Sequence, residues 1–320
     1  MNQIIEKIYY RTFNPLPILD DNDRNDNNST SVTSTVSQDT PSQRRERFSV
    51  QANFTIAEIS TSNSPELTLN FYEGPVFHTL YLIYKSWYDL TLPQIVEEAI
   101  KGILFEGWKQ KEFLQAKKLA DQLQSVKHLA ENAKDVYDIP HGIGRTCIRL
   151  YTSSTFWYKS ITSALWNPHT ITEEQFKILG AFCYLLQTYM KNLSKKNIPT
   201  NTILTVYRGM NLTDIQVEQF KQKTSYFRFT SFTSTSVKRE VADMFGNTLL
   251  VMDLNTMNIH GDELIDVGTF IGGDSQMPDE EEFLMWPLST FQVTRYEFDI
   301  IEKKHVFYLK SSLPSRSTST

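Results

Sequence analysis

The 320-residue chain changes in character at Pro199. Before this residue, apolar side chains recur every three or four positions, the spacing that gathers them on one face of a helix. After it, short segments rich in aromatic and β-branched residues follow one another, and such segments favour strands. Helices first and strands second predict an α+β domain rather than the alternating units of a parallel α/β sheet.

The helical part divides into several segments, expected at residues 78–90, 94–101, 110–135 and 147–165. A further helix is expected after Thr172, because Gln175 stands three residues later and the two complete a capping box. Cys183 falls on the apolar face of that helix. We interpret these apolar faces as core, which also predicts that Cys147 is buried and inert.

The strands are expected at residues 66–72, 202–208, 227–232, 249–254, 283–285, 291–298 and 306–309. Residues 20–47 hold almost no large apolar side chains and cannot offset the entropy of ordering by burial. We therefore predict a disordered N-terminal tail over residues 1–48, one domain over 49–310 and a flexible tail over 311–320. Within the domain, residues 49–137 are expected to be a helical extension and 138–310 the core.

Composition argues against several classes of protein. The net charge of -5 offers no basic surplus for a nucleic-acid partner. Two cysteines are too few for a disulfide framework and favour a reducing compartment. The first residues lack the apolar core of a signal peptide, and no apolar stretch is long enough to cross a membrane. We therefore expect a cytoplasmic protein without a membrane partner, with secretion left open. His141 and His260 lack partners at metal-ligand spacing, and no metal is predicted.

The stretch that carries the most chemistry is Asp279-Glu280-Glu281-Glu282-Phe283-Leu284-Met285-Trp286-Pro287. If its apolar half is a strand, Glu280 and Glu282 point to the same face. Two carboxylates on one face repel each other unless a cation or a substrate uses them. For such a pair alone, a solvated acidic loop is the ordinary interpretation.

Two upstream stretches accompany these acids, Tyr207-Arg208-Gly209 and Phe232-Thr233-Ser234-Thr235-Ser236. The three stretches, in this order and each at the edge of a predicted strand, resemble the R-S-E signature of mono-ADP-ribosyltransferases. Flanking residues 148–152, 156–158, 282–287 and 291–293 resemble the arginine-specific eukaryotic branch. The resemblance covers roughly residues 139–309. It implies a core of two small mixed sheets with helices packed on it and NAD in the cleft.

The resemblance assigns a role to each residue of the signature. Arg208, a permanent cation with a planar fork, would bind the NAD pyrophosphate, and Gly209 would bring the backbone close to the nicotinamide. Ser234 would bond a ribose hydroxyl and orient the catalytic glutamate. A surface salt bridge, an ordinary turn and a plain strand edge are the commoner uses of these three residue types.

The two acids would divide the reaction between them. Glu282 would bond the ribose 2′-hydroxyl and stabilise an oxocarbenium-like sugar as nicotinamide leaves. Glu280 would hold the incoming guanidinium and take its proton, and a glutamate there implies arginine as the acceptor. Glu281 is expected to face away into solvent.

The expected activity is transfer of ADP-ribose from NAD or NADP to the guanidinium of a protein arginine or of a small molecule. An NAD glycohydrolase, in which water intercepts the same sugar cation, and an inactive module that binds ADP-ribose or NAD stay open. A retaining glycosidase is a remote fourth alternative, because it leaves Arg208 and Ser234 without a role. The segment before Glu280 is longer than usual for the family, and Met277 stands where toxin relatives often carry an aromatic residue.

Overall fold

The structure, a computed structural model, describes residues 54–57, 89–166, 172–197, 203–221, 226–255, 267–287 and 289–311. The strand expected at residues 66–72 lies outside this part of the chain. So do nearly all of the helix expected at residues 78–90, residues 1–48 and everything after residue 311.

Five helices precede the first long strand of the described chain. They are α1 Leu92–Lys109, α2 Phe113–Val126, α3 His141–Thr152, α4 Phe156–Trp166 and α5 Glu173–Asn197. The predicted capping box at α5 is confirmed, since the Thr172 N–H donates to Gln175 Oε1 and the Gln175 N–H to Thr172 Oγ1. The same exchange between Thr213 and Gln216 begins α6, Asp214–Lys221.

Two of the segments that were each predicted as one continuous helix are interrupted in the structure. In the segment at residues 110–135, Lys111 adopts a left-handed conformation with φ 63°, so α2 begins only after this residue. After Val126 the chain tightens into a 3-10 helix, Lys127–Asn132. The segment at residues 147–165 divides into α3 and α4, because the backbone N–H and the hydroxyl of Ser153 both donate to the Arg149 carbonyl and end the first helix.

Nine described strands form a mixed sheet. They are β1 Phe54–Ala57, β2 Ile203–Met210, β3 Tyr226–Phe229, β4 Thr233–Ser236, β5 Thr248–Asn255, β6 Gly268–Phe270, β7 Glu282–Met285, β8 Ser289–Asp299 and β9 Lys304–Ser311. Their spatial order is β1-β3-β8-β9-β5-β2-β4-β7-β6. Among these strands β5 and β9 run parallel and every other neighbouring pair runs antiparallel. The α+β prediction is confirmed.

The expectation of two small sheets needs correction, because one sheet runs through all nine strands. The sheet is continuous through one narrow joint, where β2 and β4 are paired only through Tyr207 and Ser236. Six strands lie on one side of this joint and three, β4-β7-β6, on the other. Neither β1 nor β6 was expected, and the strand predicted at residues 227–232 ends at Phe229 before β4 begins.

Strand β7 lies between two hydrophobic cores. Leu284 belongs to the core that the helices form, together with Trp286 just beyond the strand. Phe283 and Met285 belong to the core on the opposite face of the sheet. All four residues of β7 are therefore buried, and its first residue is Glu282. Cys147 and Cys183 are buried free thiols in the helical core, as predicted, and burial raises the pKa of both.

Candidate active site

The predicted site residues gather at the joint between β2 and β4. Arg208 follows Tyr207, the β2 residue of the single pair, and Ser236, its partner, lies directly opposite Glu282 on β7. Arg208, Glu280 and Glu282 are 9%, 4% and 1% exposed. Buried ionisable groups are costly unless they are paired or used, so their concentration at one joint marks a candidate functional site.

Arg208 connects the first two motifs directly. Its Nη1 donates to the backbone carbonyl of Ser234 at 2.6 Å. The guanidinium is thereby held at the end of β2 against β4, and Ser234 is itself buried. The fixed, planar cation retains the geometry that suits phosphate oxygens.

Gly209 has a structural role that the sequence did not indicate. A Cβ added here would lie 2.0 Å from the carbonyl oxygen of Ala242 and 2.5 Å from that of Phe245. These residues belong to α7, Arg239–Asp243, and the turn after it. Glycine at this position therefore allows β2 to pack against the α7 backbone. Its predicted approach to nicotinamide stays a prediction.

The hydroxyls of β4 hold the acidic segment in position. Thr235 Oγ1 donates to the carbonyl of Phe283 in β7 at 2.7 Å, and Ser236 Oγ donates to the carbonyl of Glu280 at 2.5 Å. The backbone N–H of Lys238 in turn donates to Ser236 Oγ. The serine- and threonine-rich motif is thus bonded to both parts of the acidic stretch.

The acidic stretch is not a strand throughout. Residues Pro278–Glu280 form a 3-10 helix, Glu281 adopts a left-handed conformation with φ 44°, and β7 begins at Glu282. The strand alternation expected to align Glu280 with Glu282 is therefore wrong, because the chain turns between them. Both side chains are nevertheless buried, so the two carboxylates remain candidates for one site.

Glu281 faces outward, and it has a partner there. Its carboxylate lies 2.8 Å from Lys238 Nζ, and Nζ also donates to the carbonyl of Asp279. The hydrogen bond to Glu281 raises the pKa of Lys238. This ion pair lies at the turn between the two buried acids, where Glu281 has its positive φ.

Glu282 is held by a residue that sequence reasoning missed. Ser275 Oγ donates to Glu282 Oε2 at 2.6 Å, and both residues are buried. The backbone carbonyl of Glu282 accepts the N–H of Ile271 at 2.8 Å. No sequence motif marks Ser275, because its partner is set by the path of the loop between β6 and the 3-10 helix.

This loop, residues 271–277, makes hydrogen bonds and an ion pair with helices α3 and α5. The Gln276 N–H donates to Thr152 Oγ1 at 3.1 Å, Arg145 Nε lies 3.3 Å from Asp274 Oδ1, and Tyr189 Oη donates to Asp274 Oδ2 at 3.4 Å. Burial and the Asp274 charge raise the pKa of Tyr189. Helices α3 and α5 therefore set the position of the loop that carries Ser275.

A sequence model of the family described as NAD:arginine ADP-ribosyltransferase matches residues 105–313, well over half of the chain. The chain belongs to this family. The predicted resemblance to mono-ADP-ribosyltransferases is confirmed. The protein is an ADP-ribosyltransferase, with NAD as the co-substrate of its family.

Solved structures of several ADP-ribosyltransferases and effectors are similar to this chain. The ADP-ribosyltransferase HopU1 of Pseudomonas syringae is 20% identical, with a TM-score of 0.45, over 55% of this chain and 79% of its own. The type III effector XopAI of Xanthomonas axonopodis is 15% identical, with a TM-score of 0.46, over 78% and 100%. The eukaryotic mono-ADP-ribosyltransferase ART2.2 is 23% identical, with a TM-score of 0.40, over 70% and 88%. No curated protein gives a significant match.

All four predicted catalytic residues of this ADP-ribosyltransferase, Arg208, Ser234, Glu280 and Glu282, lie inside the matched range. The structure joins Arg208 to the Ser234 backbone and brings the Glu280 backbone to Ser236. Glu282 enters the same region by its pairing with Ser236. The roles of the four side chains in the reaction stay predictions.

Two further properties concern the described chain alone. Its helices include none that is long and apolar enough to cross a membrane. Within the same residues no group of three or more His, Cys, Asp and Glu side chains is placed to hold a metal ion. Nδ1 of His141 lies 2.6 Å from Tyr189 Oη, and His260 lies outside the described residues.

Proposed function

We propose that this ADP-ribosyltransferase moves ADP-ribose from NAD or NADP to the guanidinium of an arginine and releases nicotinamide. The observation that carries the proposal is the direct linkage of the three motifs. Arg208 bonds to the backbone of Ser234, and Ser236 of the same strand bonds to the backbone of Glu280 and pairs with Glu282. Binding of NAD or ADP-ribose alone does not require the arginine, the serine and the glutamate of this signature together.

The reaction is a displacement at the anomeric carbon of the nicotinamide ribose. Nicotinamide leaves as a neutral molecule, so the departing group needs no general acid. The site has to stabilise a sugar with oxocarbenium character. The Glu282 carboxylate, bonded to the ribose 2′-hydroxyl, does so increasingly as positive charge develops. Arg208 binds the pyrophosphate, Ser234 a ribose hydroxyl, and the Gly209 backbone the nicotinamide amide.

The acceptor arginine requires a base. A guanidinium is protonated at neutral pH, since its pKa lies above about 12, and it becomes a nucleophile only when a positioned group takes its proton. We assign this task to Glu280, which is buried one turn before Glu282. The acceptor is an arginine of a protein or a small guanidine.

The catalytic unit comprises residues 49–310, with residues 49–137 as an extension of the core at 138–310. In support, α1 and α2 share one hydrophobic cluster with α3, α4 and α5, and this cluster reaches Leu284 of β7. The extension contains the strand β1, paired with β3, in addition to its helices.

The proposal is tested by measuring nicotinamide release from NAD with and without agmatine, a small guanidine. We expect agmatine to stimulate release by the wild type and ADP-ribosyl-agmatine to form. Release that agmatine does not change would indicate a glycohydrolase or another acceptor. Absence of release under all conditions, with NAD still bound, would indicate a binding module.

A further inference from the structure

We propose that Ser275 is the positioning residue for the catalytic carboxylate of Glu282. The inference rests on the proposed function, because it assigns to Ser275 the orientation of the group that meets the ribose. The matched serine of β4, Ser234, was expected to orient this glutamate. That role of Ser234 stays a prediction, and the structure adds a hydroxyl from the 271–277 loop, because Ser275 Oγ donates to Glu282 Oε2 at 2.6 Å.

The direction of this hydrogen bond is fixed by a second one. Ser275 Oγ accepts the backbone N–H of Met277 at 3.1 Å. Because the lone pairs of Oγ face that N–H, its own proton is directed at the carboxylate. A hydroxyl that donates to a carboxylate at this distance makes a strong, charge-assisted bond. The rotation of the Glu282 side chain is thereby restricted on one side.

The loop that carries Ser275 is itself held in position by contacts with helices α3 and α5. The Gln276 N–H donates to Thr152 Oγ1 at the end of α3, and Asp274 meets Arg145 of α3 and Tyr189 of α5. Met277 is buried on the other side of Ser275. The position of the serine hydroxyl is therefore restricted by the contacts of its loop with the helices, and the hydroxyl in turn restricts the position of the carboxylate.

Precise orientation matters most in the transition state. A carboxylate that rotates away from the 2′-hydroxyl loses its stabilisation of the sugar cation, whereas NAD is still held through its other contacts. Loss of the Ser275 hydroxyl is therefore expected to lower kcat and to leave KM for NAD nearly unchanged.

The test compares Ser275→Ala with Ser289→Ala. Ser289 is also buried, and its hydroxyl donates to the backbone carbonyls of Val267 and Trp286, so it controls for the loss of a buried serine hydroxyl. We expect kcat for nicotinamide release to fall about 10- to 100-fold in Ser275→Ala and less than about twofold in Ser289→Ala. Equal losses in the two variants, or a change confined to KM, would overturn the proposal.

A second measurement does not depend on activity. In protein labelled with ¹³C at the glutamate carboxyls, the Glu282 resonance is assigned by its absence from Glu282→Gln. We expect this resonance to move in Ser275→Ala and to stay in place in Ser289→Ala. An unmoved resonance in Ser275→Ala overturns the proposal. A wild type without activity but with the moved resonance would refute the proposed function and support the role of Ser275 in holding Glu282.

Discussion

The two buried glutamates of the site are held in different ways. Glu282 begins a strand that is buried on both faces, between Leu284 in one core and Phe283 in the other. Glu280 ends a short 3-10 helix, and the turn after it is held by Ser236 and by the surface ion pair of Glu281 with Lys238. The backbone of Glu282 is therefore fixed mainly by the packing of its strand, while its carboxylate is bonded to Ser275, and the backbone of Glu280 is held by a few polar contacts.

This difference suits the two tasks. In the proposed mechanism, the group that stabilises the sugar cation contacts the same ribose in every turnover, so a rigid position favours it. The proposed base would contact the acceptor, which is a protein arginine or a small guanidine, and a turn bonded through backbone atoms can adjust without disturbing a core. We therefore expect changes at Glu282 to stop all chemistry and changes around Glu280 to affect the acceptor step alone.

The largest effect is expected at Glu282. Glu282→Gln should lower nicotinamide release by about 10²- to 10³-fold or more, with and without agmatine, because the stabilising charge is lost. Its thermal unfolding should stay close to that of the wild type. Glu302→Gln, at an exposed glutamate, is the control and should be fully active. A near-normal rate in Glu282→Gln would end the assignment.

Glu280→Gln should separate the two steps. Transfer to agmatine should fall by about 10²- to 10⁴-fold, the usual contribution of a general base. Nicotinamide release into water should persist, because hydrolysis does not need a base that deprotonates a guanidinium. The measurement is the ratio of ADP-ribosyl-agmatine to free ADP-ribose. An equal loss of both products would contradict the division of labour between the acids.

Sequence reasoning proposed site residues that the structure brings to one joint of the sheet, but it did not predict how their side chains and backbones are held. The pattern around Arg208, Ser234 and Glu282 is local, and each of the three lies in a strand of the sheet, so their motifs could be found in the chain without knowing its long-range contacts. The strand alternation of Glu280 and Glu282 failed because a left-handed residue, Glu281, interrupts it. Nothing in the side chain of a glutamate predicts positive φ.

The long-range contacts were beyond the reach of the sequence for a similar reason. Whether Ser275 meets Glu282 depends on the path of a loop, and that path depends on the helices to which Asp274 and Gln276 are bonded. The number of sheets was missed because it depends on one residue pair, Tyr207 with Ser236. The division into a mainly helical first part and a mainly stranded second part, by contrast, follows from periodicity and was predicted, although β1, β4, β6, α6 and α7 were not.

Strand β2, which pairs with β4 on the side opposite β7, offers a test that measures protein stability. Gly209→Ala would place a Cβ against the backbone carbonyls of Ala242 and Phe245, and the backbone has to move to relieve the overlap. We expect the free energy of unfolding to fall by about 1–3 kcal/mol. Gly273→Ala is the control, because a Cβ there meets no atom within 4 Å. Urea unfolding compares the two, and equal stabilities would show that β2 does not depend on this close packing.

The smallest expected effect distinguishes how the two glutamates are held, because one hydroxyl of β4 contacts the strand of Glu282 and the next contacts the turn of Glu280. Thr235 Oγ1 donates to the carbonyl of Phe283 in β7, and Ser236 Oγ donates to that of Glu280 in the turn. Thr235→Val removes one hydrogen bond, whereas Ser236→Ala removes two, the bond to Glu280 and the one that Ser236 Oγ accepts from the Lys238 N–H. Each lost bond costs about 0.5–1.5 kcal/mol of unfolding free energy.

The two variants should nevertheless differ in their products. Ser236→Ala frees the turn that carries Glu280, so the ratio of ADP-ribosyl-agmatine to free ADP-ribose should fall. Thr235→Val leaves β7 held by its two cores, and this ratio should stay at the wild-type value. Product analysis at saturating NAD and agmatine measures it. A lower ratio in Thr235→Val, or an unchanged ratio in Ser236→Ala, would mean that the two acids are held as one unit.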